Sequence, residues 1–234
     1  MPPTAVWLIF AGRYFFVNGM LSRFFTILLL FSGAVQCRTP HPVERTPFSA
    51  TLREGDLLFQ DLDCGPLCDA IEAVTDGAGG RDFSHLGLVC RQGNRWMVVE
   101  AVGDSVQCTP VADFCRRCRP DQLLHARVKP QWKNVAREAV RYALARRGEP
   151  YDDPFLPDNG RWYCSELVYE AFKWGNQNQP FFQLFPMTFK DPATGQFFPA
   201  WQTYYQALNI PIPEGLPGCN PGGISRSDKL YFPK

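Results

Sequence analysis

Amphipathic periodicity predicts two helices in the second half of the chain. In "WKNVAREAVRYALARRG", apolar residues from Val135 to Ala143 recur three or four positions apart, and Gly148 ends the run. A second run, "CSELVYEAFKWG", begins at Cys164 and ends at Gly175. Each run is long enough for about three turns, so each predicts a helix with one face packed on a core.

Short apolar runs predict a sheet in the first half. The runs "DLLFQ", "HLGLV", "WMVVEA" and "LLHARV" are separated by turn residues such as Gly93. The stretch "GPLCDAIEAVT" predicts a short helix, because Pro66 near its first turn loses no hydrogen bond there. After about residue 176 the chain is aromatic and proline-rich, which we interpret as mostly loop. This order predicts an α+β fold in which helices pack on one side of an antiparallel sheet.

The apolar run near the N-terminus is typical of an export signal. It follows Arg23 and is shorter than the ~20 residues that a membrane-spanning helix needs. We therefore predict a signal segment at residues 1–37, a polar and proline-rich linker at 38–51, and one domain at 52–234. The expected location is the periplasm or cell envelope.

Processing of the signal segment remains open between two modes. Lipid attachment at Cys37, as in bacterial lipoproteins, would hold the protein at the membrane, although Gln36 is an unfavourable residue before a lipidated cysteine. Cleavage by an ordinary signal peptidase is the other mode. Either mode places the protein in an oxidising compartment, where thiols tend to pair.

Four of the nine cysteines form two close pairs, Cys64 with Cys68 in "DCGPLC" and Cys115 with Cys118 in "CRRC". We expect disulfides ahead of reduced thiols or a zinc site, since the gap between the pairs is long for a zinc knuckle and no histidine joins them. No metal and no organic cofactor are expected. The net charge of +1 gives no electrostatic basis for binding nucleic acid.

Cys164 opens its predicted helix, where free N–H groups and the helix dipole lower the pKa of a thiol and favour the thiolate. A nucleophile of this kind needs a base, and the base needs an orienting acceptor. His85 opens a strand after a glycine-rich turn, and Glu100 closes the next strand, where a charge without a partner would be costly. A hairpin of these strands would bring both within reach. His125, inside "LLHARV", is better explained as a packed or rim histidine.

Three alternatives to this site remain. Cys64 also precedes a short helix, but Cys68 four residues on favours a structural or redox pair. A redox enzyme based on Cys115 and Cys118 would need a βαβ pattern that is not present around them. A non-catalytic envelope protein that binds peptidoglycan or lipid through the same fold is the alternative from another functional class.

Five stretches together resemble the YiiX/YebB-type cysteine hydrolases, a circularly permuted and NlpC-related branch of the papain-like superfamily. They are "EGDLLFQDLDCGPLCDAIEAVT", "FSHLGLV", "VVEA", "YCSELVYEAF" and "NPGGISRS". The histidine precedes the cysteine here, as in that branch. The resemblance implies a papain-like fold with Cys164 as nucleophile, His85 as base and Glu100 as the third member. It does not explain "CRRC".

These expectations describe an exported cysteine hydrolase that cleaves an amide or ester bond through an acyl-enzyme. Tyr163, beside the nucleophile, is a candidate oxyanion or substrate donor, with aromatic packing an equal explanation. A peptidoglycan peptide is slightly ahead as substrate. The alternative is a lipid-like acyl group, on which the protein would act as an amidase, esterase or acyltransferase. The aromatic residues after Pro180 bear on this choice. Most should complete the core, but several in the cleft would favour an apolar acyl chain.

Overall fold

The computed structural model describes residues 51–233. The predicted signal segment at 1–37, with Cys37, and residues 38–50 of the predicted linker lie outside the described residues. Export and lipid attachment therefore stay predictions. Within 51–233, no helix combines the length and the apolar character needed to cross a membrane.

A six-stranded antiparallel sheet forms the centre of the fold, with strand order β4-β3-β2-β1-β5-β8. Two further short strands, β6 and β7, form a separate antiparallel ribbon. The strands are β1 (Leu57–Gln60), β2 (His85–Gln92), β3 (Arg95–Val102), β4 (Ser105–Pro110), β5 (Leu123–Val128), β6 (Phe185–Pro186), β7 (Pro217–Gly218) and β8 (Leu230–Tyr231).

Six α-helices and three 3-10 turns surround the sheet in the described part of the chain. The two helices that periodicity predicts are present, and the second begins at Cys164 as expected. The helices are α1 (Pro66–Glu72), α2 (Val111–Cys115), α3 (Lys133–Ala145), α4 (Cys164–Gly175), α5 (Pro199–Leu208) and α6 (Pro221–Ser225), and the 3-10 turns are Ala78–Gly80, Pro120–Gln122 and Pro130–Trp132.

The two faces of the sheet are covered differently. Leu57 and Phe59 point from β1 into the larger core, where α3 and α4 pack against each other and against β2. Leu58 points the other way, as alternation in a strand requires, into a smaller cluster with Phe114 of α2. The expected α+β architecture is confirmed. The expectation of helices on one side alone was too simple, because the short α2 covers the second face.

The aromatic tail, which the sequence predicts to be mostly loop, contains the ten-residue helix α5. In α5, the residues Trp201, Tyr204, Tyr205 and Leu208 recur at helical spacing, and this spacing is the sequence signal that would have revealed it. Trp201 and Tyr205 are buried and pack around Phe189. The helix also contacts α1, so the tail completes one end of the domain.

Candidate active site

Cys164 is the first residue of α4, and Tyr163 is the residue that precedes the helix in extended conformation. The first N–H groups of a helix have no partner within it, so the thiol lies where the backbone favours a negative charge. Packing of α4 on α3 and β2 fixes the position of this helix start. The thiol is largely buried and interacts with the His85 imidazole, which raises the pKa of that histidine.

His85 is the first residue of β2 and Glu100 lies near the end of β3, as the hairpin pattern predicts. The distance from His85 Nε2 to Glu100 Oε2 is 2.6 Å, and both side chains are buried. Burial opposes the charge on the imidazole, but the hydrogen bonds with Cys164 and Glu100 outweigh it and raise the His85 pKa to about 9. The structure therefore brings together the three residues that the sequence indicated, with the histidine in the middle.

Gly87 makes room for this arrangement on the same strand. A Cβ atom at Gly87 would lie 2.3 Å from Val98 Cγ1 and 3.1 Å from Glu100 Cβ. Side chains two positions apart in a strand share a face, so Gly87 leaves open the space beside His85 into which Glu100 projects. The glycine in "HLGLV" thus has a steric function that the strand pattern alone did not indicate.

Arg117 is the site residue that sequence reasoning missed. Its guanidinium donates to both carboxylate oxygens of Glu100, from Nη1 to Oε2 at 2.8 Å and from Nη2 to Oε1 at 2.7 Å. Burial opposes the charge on Glu100, but His85 and Arg117 outweigh it and lower the Glu100 pKa to about 2. The sequence signal was present in "CRRC", where the pattern of cysteines drew the interpretation and the two arginines between them did not.

A second carboxylate near the thiol is kept from carrying charge. Glu166 lies one half-turn beyond Cys164, is largely buried, and its Oε2 has no hydrogen-bond partner in the structure. Burial, with a contribution from the charge of Asp152, raises the Glu166 pKa to about 8. A protonated Glu166 at neutral pH adds no negative charge that would oppose a thiolate at Cys164.

A cavity of about 230 Å³ opens beside the thiol, and Tyr163 and Cys164 both lie in its wall. The rest of the wall is mostly apolar, with polar side chains at the rim that include Asp76 and Arg226. The apolar lining includes Ile71, Val74, Phe155, Met187, Phe189 and Trp201.

Tyr163 makes a structural contact within this wall. Its ring packs on Phe155 with centroids 5.3 Å apart. Its hydroxyl accepts a 3.4 Å hydrogen bond from the Cys219 N–H and lies 3.9 Å from the Cys219 sulfur. Aromatic packing is therefore present, and the candidate role of Tyr163 as a donor to substrate stays a prediction.

The close cysteine pairs differ from each other. Cys64 and Cys68 form a disulfide, so Cys64 offers no nucleophile in this state. Cys115 and Cys118 are free thiols, and the expected disulfide between them was wrong. Both pack against the smaller core cluster, and burial raises the Cys115 pKa to about 11, which keeps that thiol protonated and unreactive. Their environment is that of structural thiols.

His125 is buried and packed, as its position inside a strand predicts. Its Nε2 lies 2.6 Å from Asp56 Oδ2, and Arg127 donates to both oxygens of the same carboxylate. Its carboxylate partner is Asp56, whereas the imidazole of His85 interacts with both Glu100 and Cys164. In the part of the chain that the structure describes, His85 is therefore the histidine of the candidate site.

A solved structure with a similar fold is described as that of the metalloprotein yiiX from Escherichia coli O157:H7. Its TM-score to this chain is 0.60 with 21% sequence identity, and the superposition covers 78% of this chain and 96% of the other. At this identity the likeness shows the fold alone. Among residues 51–233 of this chain, no group of three or more histidine, cysteine or acidic side chains is arranged to hold a metal ion, so we derive no chemistry from a metal here.

Sequence comparison gives the family. An uncharacterised protein YiiX from Escherichia coli strain K12 is 30% identical over 124 residues, which are 51% of this chain and 56% of that protein. The match thus spans little more than half of either chain. The family model described as permuted papain-like amidase enzyme, YaeF/YiiX, C92 family, matches residues 51–232, which is nearly the whole described domain. On this match and the fold, the chain belongs to the permuted papain-like amidase family.

Proposed function

We propose that this protein is a cysteine hydrolase that cleaves an amide or ester bond through a thioester on Cys164. The observation that carries the proposal is the order of groups behind the cavity wall. The thiol at a helix start lies in the wall and interacts with His85, and His85 is held by the buried carboxylate of Glu100. This is the arrangement of nucleophile, base and orienting acceptor that covalent acyl transfer needs.

Acyl transfer would proceed in two halves. The Cys164 thiolate attacks the substrate carbonyl, a carbon–sulfur bond forms, and the imidazolium of His85 gives its proton to the departing amine or alcohol. Water then attacks the thioester while His85 takes a proton from it, and the acid is released with the thiol restored. Glu100 accepts from His85 Nε2 throughout, which leaves Nδ1 as the nitrogen for the thiol and the leaving group.

The start of α4 supplies donors for the oxyanion in this proposal. The backbone N–H of Cys164 belongs to the first turn, which has no intrahelical acceptor for it. Donors fixed by the backbone cost no reorganisation when charge develops on the substrate oxygen. Tyr163 is not needed for this step.

The acyl group that the cavity favours is apolar. Three aromatic residues from the tail, Phe185, Phe189 and Trp201, line the cavity, while Phe181 and Phe182 belong to the core. Apolar ligands take pockets with aromatic and aliphatic walls. This supports a lipid-like acyl chain over a peptide and reverses the order that we drew from the sequence.

A peptidoglycan peptide is the second candidate substrate. Polar residues at the rim of the cavity, among them Asp76 and Arg226, favour it, since they offer partners for the charged groups of a peptide. Export to the cell envelope belongs to the same proposal. It rests on the N-terminal sequence pattern, and the Cys64–Cys68 disulfide supports an oxidising compartment.

The test presents purified protein with p-nitrophenyl esters of increasing acyl length, N-acyl amino acids and muropeptides. We expect turnover that rises with acyl length and a trapped thioester at Cys164 by peptide mass mapping. Cys164→Ala should abolish both. Cys108→Ser is the matched control, because hydrogen bonding to Cys90 lowers the Cys108 pKa to about 7 and makes it a competing thiol outside the cavity.

Three outcomes would contradict the proposal in different ways. Turnover that survives Cys164→Ala would remove the nucleophile. Turnover of muropeptides alone would reject the apolar acyl group and keep the chemistry. No turnover and no acylation of Cys164 would favour a non-catalytic binding protein.

A further inference from the structure

We infer that Arg117 is a positioning residue of this site. It fixes the Glu100 carboxylate against the imidazole of His85 and so orients that imidazole towards Cys164. The inference rests on the proposed function for the role of His85. It also gives "CRRC" a purpose that neither a disulfide nor a redox reaction provides.

The contacts of Arg117 determine the plane of the carboxylate. Oε2 of Glu100 is shared between His85 Nε2 at 2.6 Å and Arg117 Nη1 at 2.8 Å, while Oε1 accepts from Nη2 at 2.7 Å. The Nη2 group also reaches Thr109 Oγ1 at 3.3 Å. Two parallel bonds from a planar guanidinium hold a carboxylate in one orientation, which a single bond does not.

The segment that carries Arg117 is itself tied to the strand beside His85. The Gln60 side chain donates to the Phe114 carbonyl at 2.7 Å and to Cys118 Sγ at 3.5 Å. Gln60 is the cross-strand partner of His85 in the β1–β2 pair. The Phe114 ring lies 5.4 Å from the Arg117 guanidinium and 5.9 Å from the imidazole centroid. Arg117 and His85 are therefore both held in place by contacts with the same part of the sheet.

Burial explains why Glu100 needs this second partner. The carboxylate is inaccessible to solvent, whereas the side chain of Arg117 remains 28% exposed. A buried carboxylate without sufficient counter-charge takes up a proton, and a protonated Glu100 would be a poor acceptor for an imidazolium. The charged and titratable groups around it are His85 from β2, Arg117 beyond α2 and Cys108 from β4.

The molecule contains an internal control for this arrangement. Asp56 accepts from His125 at 2.6 Å and from Arg127 Nε and Nη2 at 2.6 and 2.8 Å. The geometry is the same histidine–carboxylate–arginine set, but its histidine and arginine lie on β5 and it shares no residue with the set around Glu100. The signal of His125 should therefore be insensitive to changes at Arg117.

The experiment follows the imidazole nitrogens and protons by NMR in protein labelled with ¹⁵N-histidine, from pH 3 to pH 10. The variants are Arg117→Gln and Arg117→Lys. Arg116→Gln is the matched control, because Arg116 is the exposed neighbour that pairs with Asp113. The kcat and KM of each protein for the p-nitrophenyl ester are measured in parallel.

The His85 Nε2 signal reports the titration of Glu100 on the acid side. In Arg117→Gln we expect the midpoint of that titration to move up by about 1–3 pH units, since an adjacent arginine lowers a carboxyl pKa by that amount. We expect kcat to fall about 10- to 100-fold with KM unchanged. Losses of this size follow when a group that hydrogen-bonds to and orients a reactive side chain is removed. Arg117→Lys should restore part of both effects. The His125 signal and the Arg116→Gln protein should match the wild type.

An unchanged His85 titration in folded Arg117→Gln would overturn the inference, and so would an equal change at His125. If Arg117→Gln does not fold, the wild type decides. A wild-type His85 transition near the ordinary glutamate pKa of 4.5, in place of no acid-side transition above pH 3, would show that Glu100 is not held ionised. Absence of ester turnover in the wild type would sink the proposed function, while the NMR result on Arg117 would still stand or fall by itself.

Discussion

Raising the pH should weaken this protein through a single imidazole. The His85 pKa is raised from 6.5 to about 9, which means that the folded state holds the proton more tightly than the unfolded chain does. This contribution to stability is fully present below pH 6.5 and is lost as the pH rises through 9. At ~1.4 kcal/mol for each pH unit, it amounts to about 3 kcal/mol.

The assay is urea denaturation at intervals from pH 6 to pH 9.5, followed by tryptophan fluorescence, for the wild type and His85→Gln. Groups that titrate in both proteins cancel in the difference between their free energies of unfolding. We expect the wild-type advantage to shrink by about 3 kcal/mol over this range. Cys164→Ala should lose part of that change, because the thiol is one of the two groups that raise the His85 pKa.

The interaction between His85 and Glu100 also has a lower pH limit, below which it no longer stabilises the folded state. The Glu100 pKa is lowered to about 2, so its contribution is present above pH 4.5 and lost as the pH falls towards 2. The two limits describe one interaction and their energies are not added. A difference between wild type and His85→Gln that stays constant from pH 6 to pH 9.5 would refute the reasoning, because it would show that the imidazole is not held protonated in the folded state.

Three further substitutions test the surroundings of the site. Gly87→Ala should lower the free energy of unfolding by about 1–3 kcal/mol and reduce ester turnover, because its Cβ would overlap Val98 beside Glu100; unchanged thermal melting would contradict this. Asp56→Asn should lower the free energy of unfolding, measured by urea denaturation, by about 3–5 kcal/mol, because it removes one partner of the buried ion pair with Arg127. Turnover by the folded protein should not fall. Glu166→Gln should raise the free energy of unfolding by about 1–3 kcal/mol at pH 8 and leave it nearly unchanged at pH 4. A carboxyl whose folded pKa is raised to about 8 destabilises the folded state as the pH rises above 4.5, so an equal effect at both pH values would argue against this prediction.

Local patterns in the sequence were sufficient for α3, α4 and the longer strands of the sheet, and for three residues of the candidate site, but not for α2 and α5. The start of α4 at Cys164 follows from amphipathic spacing within one segment. His85 and Glu100 lie on consecutive strands of a hairpin, so a short connection brings them together without reference to the rest of the chain. Such features depend on neighbours within a few residues, and periodicity reports them directly.

Contacts between distant segments were decided only by the tertiary structure. Arg117 reaches Glu100 because α2 folds over the second face of the sheet. In that packing, Gln60 of β1 donates to the carbonyl of Phe114 in α2, 54 residues further along the chain. The free state of Cys115 and Cys118 depends on the same packing. The cavity wall combines α1, the start of α4 and the aromatic tail. A sequence pattern states which side of a strand or helix is apolar, but it does not state which other segment covers that side. Here that choice, made by the packing of α2 and the tail, places the arginine on the carboxylate and the aromatic rings around the thiol.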